Sequence, residues 1–127
     1  MPPRPSFYVP NIYDFDTLYR RTVTASGDSA AVVYLELDRI KPGRFRVLTH
    51  VTVENKTDST TKFRLAIKRA GRVHYLDELD APAAGELGVS RSDILLGEQD
   101  IFLAELTGTH DPDELVMSAI GWETALK

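Results

Sequence analysis

From Ala31 onward the chain alternates apolar and polar positions with a period of two, the pattern of a strand with one buried face. Val33, Leu35 and Leu37 fall on one side, and Tyr34, Glu36 and Asp38 on the other. After the turn residues Pro42-Gly43, Phe45, Val47, Thr49, Val51 and Val53 alternate with Arg46, Leu48, His50, Thr52 and Glu54. Pairing Leu37 with Phe45 sets Asp38 opposite Arg44 and Glu36 opposite Arg46, so charge and hydrophobicity agree on one hairpin register. The polar stretch 55–59 supplies the next turn, and matching Val53 with Phe63 puts Glu54 opposite Lys62. The pattern predicts a three-stranded meander with a core of Val33, Leu35, Leu37, Phe45, Val47, Val51, Val53, Phe63, Leu65 and Ile67.

The rest of the chain keeps the idiom in shorter pieces. Residues 73–76 and 94–96 read as short strands, Pro82-Ala83-Ala84-Gly85 as a loop, and Gly97-Glu98-Gln99-Asp100 as a turn into a strand over 101–106. The loop 107–113 leads to a last strand over 115–122, and a further strand is expected near 21–25. About eight strands, with no helical pattern and no repeat, predict an all-β chain folded as an antiparallel, jelly-roll-like β-sandwich. The last two strands read as a hairpin with Phe102, Ala104, Leu106, Leu115, Met117 and Ala119 on one face. Its second face offers Ile101, Leu103, Val116, Ile120 and Trp122. A sheet with one wet side should be polar there, so this face needs a cover.

Residues 1–19 read as an extended arm and 20–127 as the sandwich domain. Pro2, Pro3, Pro5 and Pro10 remove backbone donors and favour extended conformations. The same segment carries Phe7, Tyr8, Val9, Ile12, Tyr13, Phe15, Leu18 and Tyr19, too apolar for a solvated tail. The expected contact surface therefore joins Phe7, Tyr8, Ile12, Tyr13 and Phe15 to the second face of the C-terminal hairpin. The acceptor is either the same chain or a neighbouring subunit.

Composition narrows the compartment and the chemistry. A chain of 127 residues fits one domain. With no cysteine, disulfides and thiolate metal sites are excluded. No apolar run approaches the roughly 18 residues of a membrane span, and Met1-Pro2-Pro3-Arg4-Pro5 lacks the apolar stretch of a secretory signal, so a cytoplasmic product is expected. The net charge of -4 hides an asymmetry: residues up to Leu76 carry 13 Lys/Arg against 7 Asp/Glu, the remainder 2 against 12. Either two solvated faces or a basic surface complementary to an acidic one on another copy or protein would account for it. Nucleic acid is not an expected partner, because the acidic part opposes a phosphate backbone and no recognition motif is present.

Candidate chemistry is sparse. His50, His74 and His110 sit on separate elements, none with a second histidine at metal-ligand spacing. The clusters Asp77-Glu78-Asp80 and Asp111-Asp113-Glu114 lack the glycine-centred loop of an EF-hand, and nothing in the sequence sets a carboxylate pair at glycosidase separation. No Gly-x-Ser-x-Gly elbow occurs. Asn55-Lys56-Thr57 fits a glycosylation sequon but reads as a turn. No catalytic residue, metal or cofactor is expected.

The stretch from Asp93 to Leu103, followed by a terminal strand ending Gly121-Trp122-Glu123, resembles the last strands of small jelly-roll proteins, among them complement- and tumour-necrosis-factor-like trimers and accessory virion proteins of tailed phages. A cysteine-free sandwich with a proline-rich apolar arm is more similar to the phage group. That resemblance implies capsid decoration or a head-to-tail connection, and a virion location after cytoplasmic synthesis. The expectation is a non-catalytic assembly protein that contacts copies of itself and a larger assembly such as a capsid. The alternative is a carbohydrate- or peptide-binding sandwich using Tyr34, Tyr75 or Trp122.

Overall fold

The computed structural model describes residues 17–79 and 83–125. They form β1 (Thr17–Ser26), β2 (Val33–Glu36), β3 (Arg44–Asn55), β4 (Lys62–Arg69), β5 (Arg72–Leu79), β6 (Gly88–Ser90), β7 (Ile94–Leu96), β8 (Ile101–Thr107) and β9 (Glu114–Ala125). None of the described residues is helical, so no helix among them is long and apolar enough to cross a membrane.

Two antiparallel sheets face each other. Sheet A runs β1-β9-β3-β6, with β7 also paired to β3, and sheet B runs β2-β8-β4-β5. Because β6 and β7 share one edge of β3, the nine strands occupy eight positions in jelly-roll order. The all-β sandwich expected from the alternation is therefore the fold. β1 begins at Thr17, opposite Glu123, so residues 17–19 belong to sheet A rather than to an arm.

The pairings differ from the expected hairpins. β2 pairs with β8 and β3 with β9, so Leu37 and Phe45 are not partners and the 33–67 meander does not exist. Likewise β4 pairs with β5 and β8, leaving Val53 and Phe63 in opposite sheets. The partners differ because alternation marks which face is buried, and a face can be buried across the sandwich as well as along one sheet. The β8–β9 hairpin fails in the same way, its strands lying one in each sheet, although all six of its inward residues are buried as expected. Among the described strands, consecutive ones pair only at β4–β5, where Arg69 opposes Arg72. Ala70 and Gly71 both have positive φ, 51° and 76°, as a two-residue type I′ turn requires.

A bulge in β3 changes the core. Leu48 opposes Gly121 and His50 opposes Ile120, which leaves Thr49 as an extra residue. One extra residue reverses the side-chain alternation. Val51 and Val53 point inward as expected, but before the bulge the inward residues are Arg46 and Leu48, whereas Phe45 and Val47 are half-buried on the outside. Gly121 faces this bulge, and a Cβ there would collide with the Val47 carbonyl oxygen. The core is Leu35, Leu37, Ile40, Leu48, Val51, Val53, Phe63, Leu65, Ile94, Leu96, Phe102, Ala104, Leu106, Leu115, Met117 and Ala119, with Val33 and Ile67 packed against it.

Candidate functional site

The two ends of the sandwich are closed by buried polar groups. At one end Arg46, 2% exposed, donates from Nε to Glu123 at 3.0 Å and from one terminal nitrogen to Asp38 at 2.9 Å. Its guanidinium lies 3.7 Å from the Tyr19 ring centroid, and the Tyr19 hydroxyl donates to Asp38 at 2.7 Å. Burial and the bond to Asp38 raise the Tyr19 pKa above its ordinary value. Burial works against ionisation of Asp38, but the Tyr19 hydroxyl and Arg46 more than offset it and hold this carboxyl below the usual range.

At the other end Asn55, 2% exposed, uses its whole side chain. Nδ2 donates to Thr60 Oγ1 at 3.1 Å and to Asp113 Oδ2 at 2.8 Å, while Oδ1 accepts from the amides of Thr57 and Asp58. The sequon asparagine is thus a loop anchor inside the fold. Asp113 also accepts the His110 amide at 2.8 Å. Burial opposes its ionisation, yet the Asn55 amide and His110 hold its pKa below the usual carboxylate range. His110 Nδ1 lies 3.2 Å from Asp58 Oδ2 and 3.8 Å from Asp113 Oδ2. Among the described residues, Asp58, His110 and Asp113 are the group that could hold a metal ion, their ligand atoms lying within 4.8 Å of one another. The Asp113 oxygen concerned already accepts two hydrogen bonds, so the trio serves as a clasp between the β3–β4 and β8–β9 loops. Sequence reading missed it because its members come from two loops more than fifty positions apart.

The outer faces of the two sheets contrast. On sheet B, Tyr34, Glu105, Arg64 and Glu78 form one cross-strand row. Arg64 Nε donates to Glu78 at 3.0 Å and sits 5.0 Å from the Tyr75 ring centroid, and the Tyr75 hydroxyl donates to Glu105. The bond to Glu105 raises the Tyr75 pKa, and the Arg64 contact lowers that of Glu78. This face satisfies itself. On sheet A the register sets Leu18 beside Trp122, Trp122 beside Val47 and Val47 beside Leu95, an apolar row across four strands. Ile120 follows between Arg20 and His50. Leu95 is 71% exposed, Leu18 45% and Ile120 43%.

The expected contact residues are therefore split. Val116, Ile120 and Trp122 lie on the outer face of sheet A, Ile101 and Leu103 on that of sheet B, so they form no common surface. Leu103, between Glu36 and Ala66, is 1% exposed and needs no further cover. Phe7, Tyr8, Ile12, Tyr13 and Phe15 lie outside the described residues. The aromatic trio considered for a ligand is also divided, Tyr34 and Tyr75 on sheet B and Trp122 on sheet A. Leu18, Val47 and Leu95 were missed, since only the register aligns them.

Part of the charge asymmetry is paired within the fold. Arg44 and Arg46 pair with Glu123, Lys62 and Arg64 with Glu78, and Arg69 with Asp100, in each case a cation before Leu76 with an anion after it.

No protein-family model matches the chain, and no curated protein does. Among solved structures it is similar to the Drosophila NLP core, described as giving insight into pentamer formation and histone binding. That match has 14% identity, covers 85% of this chain and 98% of the other, and has a TM-score of 0.46. It is also similar to a chain of infectious bursal disease virus, Gt strain, at 12% identity and a TM-score of 0.34, covering 97% of this chain but 38% of the viral one.

Proposed function

We propose that this protein is a non-catalytic assembly subunit that associates with other copies of itself through the outer face of sheet A. The observation that carries the reading is the row Leu18–Trp122–Val47–Leu95 with Ile120 beside it. Three inter-strand steps make it roughly 14 Å wide, whereas the shorter row Leu103–Ala66–Tyr75 on the outer face of sheet B has Leu103 and Ala66 already buried and lies beside the charged row of Glu105, Arg64 and Glu78. Burying such side chains contributes roughly 25 cal/mol per Å² of apolar surface removed from water. A particle such as a capsid, as the sequence resemblance implies, is one setting in which the subunit would work.

The test is molecular mass in solution by light scattering across a concentration series. The parent chain should have a mass that is a multiple of the monomer, and Leu18→Lys with Ile120→Lys should reduce it to the monomer without lowering the melting temperature. A parent that stays monomeric throughout overturns the reading.

A further inference from the structure

Among the described residues, one side of the sandwich is open. There the edge strand of sheet B, β5, faces the interrupted edge of sheet A, β6 and β7, and between them lies a groove of about 410 Å³. Leu65, Ile67 and Ile94 lie along it, so the groove reaches the core, and Leu76 and Leu95 line it as exposed apolar residues. Its charged lining residues are Asp77 and Asp93, and among the described residues neither carboxylate makes an ion pair with a cation.

The groove is shaped by a second bulge. Leu65 opposes Asp77 and Ala66 opposes Tyr75, which leaves Leu76 as the extra residue. In a regular strand Leu76 and Asp77 would point to opposite faces; here both line the groove. Tyr75 stays on the outer face, bonded to Glu105. The bulge thus gathers one apolar and one anionic side chain at the same mouth. Among the described residues β5 pairs only with β4, and every residue from Arg72 to Glu78 is exposed, so half of its backbone donors and acceptors lie outside the ladder.

We infer that this groove receives an extended segment of a partner protein whose groove-facing residues, every second one along the segment, combine apolar residues with lysine or arginine. Such a segment would add to sheet B along β5, seat its apolar side chains over Leu65, Ile67 and Ile94, and bring its cations to Asp77 and Asp93. Charge selects the sign of the partner, and the free edge selects its extended form. The site is independent of the sheet A row apart from Leu95, which borders both.

The probe is a fluorescent heptapeptide with lysine, leucine and lysine at its second, fourth and sixth positions and serine between them, with its glutamate–leucine–glutamate counterpart, titrated against the full chain by anisotropy. The lysine peptide should bind at least about tenfold more tightly, weaken with salt, and lose that preference in Asp77→Asn/Asp93→Asn. Amide shifts in the bound protein should centre on β5 and β7. Equal affinity for the two peptides, an unaffected double variant, or shifts on the outer face of sheet A would overturn the inference. So would a self-association that the lysine peptide disperses, since the occupant would then be a second copy. A chain that is monomeric yet passes these tests would separate this groove from the sheet A reading.

Discussion

The Arg46 guanidinium stacks on the Tyr19 ring at 3.7 Å while it donates to Asp38 and Glu123. A charge with almost no solvent access is held by two carboxylates and an aromatic face, and all of them depend on it. Arg46→Ala should therefore cost about 3–5 kcal/mol in urea denaturation, more than a surface charge removal. Arg46→Lys should recover little, because an ammonium cannot fork to both carboxylates and stack at once.

The bulge in β3 makes a paired prediction about adjacent residues. Leu48→Ala, at a fully buried position, should cost roughly 2–5 kcal/mol, whereas Val47→Ala on the half-buried outer face should cost under about 1.5 kcal/mol. Similar values for the two would place the bulge elsewhere. Denaturant midpoints at constant slope give the comparison.

Gly121→Ala should be among the most damaging small substitutions, since the new methyl meets the Val47 carbonyl oxygen and the backbone of Leu48. We expect a loss of about 2 kcal/mol or more. Gly43→Ala tests the contrast: its φ of 78° makes alanine strained, but nothing lies within 4 Å, so the cost should be limited to about 1–2 kcal/mol of backbone strain.

Acid should loosen both ends of the sandwich. Asp38 and Asp113 have native pKa values below their unfolded ones, so the stability they contribute is complete above about pH 4–5 and is lost as pH falls through the native values. Asp113→Asn should lower stability at pH 7 and flatten its dependence between pH 5 and 2. An unchanged slope, measured by urea titration at each pH, would detach Asp113 from acid unfolding.

How far the sequence foretold this molecule depends on which physical rule is asked. Period-two alternation located most of the strands and placed Leu35, Leu37, Val51, Val53, Phe63 and Leu65 in the core, because burial on one face is a local signal. Pairing is not local: Asp38, expected opposite Arg44, meets Arg46 instead, around the end of the sandwich and not along a hairpin. Thr49 carries no mark of a bulge, so Phe45 and Val47 were assigned to the wrong face. The Leu18–Trp122–Val47–Leu95 row was illegible for the same reason, since its four residues come from four strands. The Asp77–Asp93 groove depends in turn on an extra residue, Leu76, that looks like any other strand leucine.

The place of β9 in sheet A has a kinetic consequence. It lies between β1 and β3, so the first strand can join its sheet only when the last is available. The β4–β5 hairpin is the one strand pair that neighbouring sequence can close quickly; the others bring together distant stretches of chain, a topology associated with folding in milliseconds to seconds rather than microseconds. While β9 is still being synthesised, sheet A lacks a central strand, and β1 and β3 present unpaired edges to whatever is nearby. This chain should consequently fold only after synthesis of β9, and it should depend on chaperones or low temperature for its yield more than its modest length suggests.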